Sequence, residues 1–258
     1  MPQDQLRRLL CLILPWVQIV TAFLPALGLG TSMAVVSAAT RTPVVPAGYA
    51  FSIWSLIFAL AAAYGIWQFL PANRDSALAR RTGWPLAGSF ALNTLWQVTS
   101  QLTASVGFGL FLIILASLAC ALWALFTARN TPEPGLAARW IVAPLTGLLA
   151  GWLTAASFVN LSSAARATGI LPEHGIAATL AAVIILLAAG GAAAALVWLL
   201  RRDASWFAGA ILWAFVGVVA ANLGVNQVNI PAALAAGVML ALVFAVAWQR
   251  RRAGPLPV

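Results

Sequence analysis

The chain has 258 residues, of which 63% are hydrophobic and only 7% charged. A soluble domain carries about 25% charged residues, so this composition excludes a water-soluble globular protein and requires lipid over much of the surface. The net charge of +9 comes from 14 arginines against five acids; the arginines sit in small groups between apolar runs, not in a stripe, which excludes nucleic acid as the partner and fits membrane topology.

Arg7 and Arg8 precede the first apolar run, Leu9–Leu29, and Ser37-Ala38-Ala39 would serve as a signal-peptidase site. The run exceeds the roughly 7–15 residues of a signal-peptide core, so it reads as a first transmembrane helix. Further apolar runs follow at Tyr49–Leu70, Gly83–Leu102, Val106–Phe126, Trp140–Ser163, Ile176–Leu200, Ser205–Leu223 and Ile230–Trp248. Each approaches the ~20 residues that cross hydrocarbon. Backbone groups in lipid must be satisfied within the segment, and the alternation of a barrel strand is missing. The sequence therefore predicts an all-α integral membrane protein, a polytopic bundle of about eight transmembrane helices.

Arginine placement orients the bundle. With the N-terminus inside, the cytoplasmic segments hold Arg7, Arg8, Arg74, Arg80, Arg81, Arg129, Arg139, Arg201, Arg202, Arg250, Arg251 and Arg252, and the outer ones only Arg41 and Arg166. This bias predicts a multi-pass protein of the cell membrane with both termini cytoplasmic. The first outer loop, Gly30–Gly48, is long and holds Pro43 and Pro46, whereas Leu102–Val106 is almost a bare turn.

The titratable residues do not support enzyme chemistry. The acids Asp4, Asp75, Glu133, Glu173 and Asp203 and the single His174 all fall outside the spans, leaving no carboxylate for a proton relay or ion coupling. Cys11 and Cys120 lie in apolar runs and read as small buried hydrophobes. No metal cluster and no phosphate loop is present. The expectation is a non-enzyme that requires no cofactor.

Aromatic rings and neutral amides remain. Eight of the 12 tryptophans, Trp16, Trp67, Trp84, Trp123, Trp140, Trp198, Trp206 and Trp248, fall toward one end of their spans, as an interfacial belt would. Trp54, Trp96, Trp152 and Trp213 do not. Asn93, Trp96, Gln97, Ser100 and Gln101 share one helical face; Phe51, Trp54, Ser55 and Phe58 share another; Trp152 and Asn160 lie eight apart. Amides in hydrocarbon need partners, so these faces point into the bundle. They serve either as helix–helix glue or as the wall of a pocket for a flat apolar ligand. Asn222, Asn226, Gln227 and Asn229 read as a hydrated loop with helix caps. The third–fourth and seventh–eighth spans are similar hairpins, and such a repeat would suit a transporter.

Three segments together carry a family resemblance: Tyr49–Phe58 behind Pro46-Ala47-Gly48, Leu92–Trp96, and Trp152–Asn160. They resemble the tryptophan-rich sensory protein / translocator protein family (TspO/MBR), over residues 8–165. The chain departs from the pattern in having Pro46-Ala47 for the double proline, and in lacking the loop tryptophan and the PYxxW start of the fifth helix. The resemblance divides the chain into a five-helix bundle, 1–165, and an additional three-helix membrane segment, 166–258. It implies a sensor or regulator that binds a tetrapyrrole or another flat hydrophobic ligand inside the first bundle. Carried over by residue, Tyr49, Phe51, Trp54, Asn93, Trp96, Gln97, Trp152, Phe158 and Asn160 would line that site. The family also tends to dimerise, and Gly147 and Gly151 form a GxxxG pair that permits close helix approach.

Overall fold

The computed structural model describes residues 2–32, 35–36, 41–103, 107–131, 135–224 and 228–252, with the side chains of 2, 202 and 203 left aside. Ser37-Ala38-Ala39, Glu133, Asn226, Gln227 and most of the turn at 102–106 lie outside the described residues. Those described form eight long helices: α1 (Pro2–Phe23), α2 (Ile53–Phe69), α3 (Ala77–Thr103), α4 (Phe108–Arg129), α5 (Ala143–Ala167), α6 (Gly175–Leu200), α7 (Ser205–Leu223) and α8 (Ile230–Arg252). All but α3 are long and apolar enough to cross a membrane, seven in number. The chain is a polytopic helical membrane bundle.

α3 is the exception in composition, and its polar residues are turned inward. Thr82, Ser89, Asn93, Gln97, Ser100 and Gln101 are all buried in this 27-residue helix, which packs between α1 and α4. It also begins earlier than its apolar run, because the Ser76 hydroxyl accepts from the Ala79 N–H at 3.0 Å and caps the helix. Arg80 and Arg81 thus become helical rather than loop residues.

Arg7 and Arg8 do more than mark a membrane face. Arg7 is only 2% exposed. It pairs with Asp4 at 2.8 Å and donates to Gln68 Oε1 at 2.6 Å and to the Ala79 carbonyl at 2.8 Å. One guanidinium therefore ties together the same ends of α1, α2 and α3. Gly83 is required beside it, since a Cβ there would lie 2.7 Å from Arg7 Cδ. Arg8 donates to the carbonyls of Gln68 and Phe69 at the end of α2.

The neighbours run in the order α2, α1, α3, α4, α5, α7, α8, α6, with α6 returning to touch α5. α5 is the hub. Its residues from Pro144 to Thr154 are buried without a break, the mark of a helix covered on every side. The GxxxG pair explains its close fit to α7. A Cβ on Gly147 would lie 3.0 Å from the Phe207 amide nitrogen, and one on Gly151 would meet the Phe207 carbonyl. The motif that suggested an intermolecular contact is therefore filled from within the chain.

Replacing Gly151 with leucine drives a side chain into α7 and is expected to cost about 1–3 kcal/mol. Thermal unfolding in detergent should shift down while the oligomeric state stays as in the wild type. A variant of unchanged stability that merely loses a dimer would assign the pair to an intermolecular contact instead.

Candidate ligand-binding cavity

Residues 41–52 return to the bundle as a short strap. Val45 N–H closes a turn onto the Thr42 carbonyl at 3.0 Å, and a 3₁₀ turn, Gly48–Ser52, leads into α2. This places Phe51 one turn before Trp54, with Phe58 a turn beyond. Trp54 and Phe58 stack at 5.3 Å between centroids. Trp152 of α5 meets Phe51 edge-on at 5.7 Å and Trp54 edge-on at 6.4 Å. Such edge contacts hold rings apart at fixed angles.

Two adjoining cavities lie around these rings. The larger encloses about 770 Å³ between the end of α1, the strap, α2 and α3. This is inside the roughly 300–1,000 Å³ of small-molecule sites. Phe51, Trp54, Phe58, Asn93, Trp96, Gln97 and Gln101 line it, with Arg41 as its charged lining residue. The smaller encloses about 80 Å³ and reaches toward α6 and α7. Phe51, Trp54, Trp96, Trp152, Phe158 and Asn160 line it, together with Leu186, Ala189, Ile211, Ala214, Phe215 and Val218. Val45, Pro46, Phe51, Trp54 and Trp96 are common to both.

Eight of the nine residues carried over from the family motifs therefore sit on one or other cavity. Tyr49 does not. It is 48% exposed and turns outward, its ring edge-on to Trp213 at 5.6 Å and its hydroxyl toward the Val216 carbonyl. The 3₁₀ turn explains this, since it rotates Tyr49 away from the face shared by Phe51 and Trp54.

The amides act as helix glue and still leave polar atoms over. Trp96 Nε1 donates to Asn160 Oδ1 at 3.0 Å and joins α3 to α5. Thr21 of α1 donates to Gln97 Oε1 at 2.8 Å, and Gln101 Nε2 donates to the Thr21 carbonyl at 3.0 Å. Ser117 of α4 donates to Asn93 Oδ1 at 3.2 Å. Asn93 Nδ2 and Gln101 Oε1, both buried, have no protein partner. A donor and an acceptor without partners thus belong to residues that line the larger cavity.

α7 holds the strap in place. Ala47 N–H donates to the Gly217 carbonyl at 2.9 Å, Trp213 Nε1 to the Ala50 carbonyl at 2.8 Å, and Asn222 Nδ2 to the Pro43 carbonyl at 2.7 Å. Gly217 makes the approach possible, since a Cβ there would lie 2.7 Å from the Ala50 Cβ. From α5, Ser162 donates to the Thr42 hydroxyl at 2.8 Å and Arg166 donates to the Arg41 carbonyl. Trp213 thereby finds its role. Of the tryptophans assigned to a belt, seven are exposed by 37% or more, and only Trp67 is partly covered.

Reasoning from sequence missed the α6 and α7 lining. Leu186, Ala189, Ile211 and Ala214 are ordinary apolar residues on apolar helices and carry no signal of their own. Asn222 and Trp213 did stand out, but nothing in the sequence pairs them with a loop some 170 residues earlier.

A family model described as "TSPO-like protein" matches residues 8–247. The match passes beyond the five-helix stretch that carries the motifs and takes in α6, α7 and most of α8. No curated protein and no solved structure matches the chain.

Removing two of the strap's bonds with the double variant Trp213→Phe, Asn222→Ala should speed amide exchange in residues 42–52 by about tenfold or more, at ~1 kcal/mol for each bond. α3 and α4 should exchange as before. An equal rise in all helices would show that the two residues stabilise the bundle generally and do not clamp the strap.

Proposed function

The chain belongs to the TSPO-like protein family, and from that premise we propose that it is a membrane sensor or regulator that binds a flat hydrophobic ligand of the tetrapyrrole type. The observation that carries this reading is the larger cavity of about 770 Å³, lined by indole and phenyl rings on α2 and α3 and by the amide residues Asn93, Gln97 and Gln101. Ring faces suit a planar macrocycle. The neutral amides of Asn93, Gln97 and Gln101 supply the polar part of its lining. Arg41, at the same cavity, suits an acidic substituent on the ligand.

Binding rather than turnover fits the lining, whose groups are aromatic rings, amides and one guanidinium. The asymmetric arginines support a cell-membrane location with both termini in the cytoplasm. In that orientation the strap and Arg41 face the outside, and Arg7 lies at the cytoplasmic end. A ligand would then enter beneath the strap from the outer side.

Titration of the purified protein with protoporphyrin IX, followed by tryptophan fluorescence, tests the proposal. Saturable quenching is expected in the wild type. Trp54→Ala and Trp96→Ala should each weaken binding by about tenfold, the loss of one packed aromatic contact. Trp123→Phe should bind normally, since Trp123 is 61% exposed on α4. Quenching that does not saturate, or that Trp54→Ala and Trp96→Ala leave unaltered, would refute it. Flux of the same porphyrin into proteoliposomes would instead favour a transporter.

A further inference from the structure

The smaller cavity stands apart in chemistry from the larger one. Small side chains on three surrounding helices leave it open: Ala155 and Ala156 on α5, Ala189 on α6 and Ala214 on α7. The amide that reaches it is already satisfied. Asn160 Oδ1 accepts from Trp96, and Asn160 Nδ2 donates to the Ala156 carbonyl at 2.9 Å. Around these the wall is apolar apart from Ser163, with Ile114, Leu186, Ile211 and Phe215 among its residues.

Its volume of about 80 Å³ is several times the roughly 10–15 Å³ that admits one water, yet a water needs 2–4 polar partners. An apolar void of this kind stays dry, and the atoms lining it forgo dispersion contacts. Carbon atoms entering it would restore those contacts without displacing bound water. The void adjoins the larger cavity, and Phe51, Trp54 and Trp96 line both. It is too small for a ring system and large enough for a short side arm.

We infer that this inner chamber is a second subsite for the same ligand, taking a short apolar substituent that projects from the planar core past Trp54 and Trp96. The inference rests on the ligand-binding reading above and adds a rule of selectivity to it. α6 and α7 supply that selectivity. They form the far wall of a chamber whose near wall is the α2–α3–α5 aromatic cluster, so two of the last three helices recognise part of the ligand directly. A ligand without the side arm still fits the larger cavity but leaves the chamber empty.

Two porphyrins separate the alternatives. Protoporphyrin IX carries two vinyl groups where deuteroporphyrin IX carries hydrogen, and the two are otherwise the same. The wild type is expected to bind protoporphyrin about tenfold more tightly, the effect of burying roughly two carbon atoms. Ala214→Val partly fills the chamber; it should weaken protoporphyrin alone and bring the ratio close to one. Ala189→Val makes the same test from α6 should Ala214→Val fail to give a monodisperse protein. Equal affinities in the wild type, or equal weakening of both porphyrins by the valine variants, would overturn the subsite while leaving the larger cavity as a binding site. Saturable binding of neither porphyrin would overturn the functional reading, and the subsite with it.

Discussion

An amide side chain in hydrocarbon has no water to bond, so it must find a partner inside the protein. That requirement governs α3. Asn93, Gln97 and Gln101 recur on one face of it, and the helix is stable in the bundle only with that face covered. α1 covers it through Thr21, and α4 through Ser117. Trp96, on the same side, reaches Asn160 of α5. The positions of α1, α4 and α5 around α3 all follow from satisfying these groups. The larger cavity lies beside this face, with Asn93, Trp96, Gln97 and Gln101 among its lining.

A second constraint joins the halves of the chain. The Gly147–Gly151 ridge lets the backbone of α7 come against α5, and in a membrane such close approach is a principal source of helix association. Once α7 is there, its other surface meets the strap. Three hydrogen bonds from one helix then hold the segment that closes the cavities. The C-terminal helices consequently bear on the cavities twice, α7 as the dock for the strap and α6 with α7 as the far wall of the inner chamber. The family match over residues 8–247 includes them too.

Much of this was legible in the sequence, for physical reasons that can be named. Helices in lipid announce themselves by apolar length, which is plain for seven of the eight and interrupted by a polar face in α3; α3 and α1 also extend beyond their apolar runs through Ser76 and Arg7. Inward faces were legible wherever amides or tryptophans fell at helical spacing. Tyr49 was expected at the site and lies outside it, because a 3₁₀ turn has a different rotation per residue from an α-helix. The GxxxG spacing correctly marked a close helix contact, but spacing alone does not say whether the neighbour belongs to the same chain. The alanines of the inner chamber were illegible, since an alanine that leaves a void and one that packs tightly look alike in a sequence. Long-range pairs such as Asn222 with Pro43 depend on the assembled bundle.

In the proposed function a planar ligand sits between the strap, α2 and α3, where aromatic rings and the amides of Asn93, Gln97 and Gln101 converge. A structure of the protein bound to protoporphyrin IX tests it most directly. The macrocycle should lie against Trp54 and Trp96, with one vinyl edge directed toward Ala214. A porphyrin found on the lipid-facing surface, or between α6 and α8 away from Trp54 and Trp96, would contradict the account.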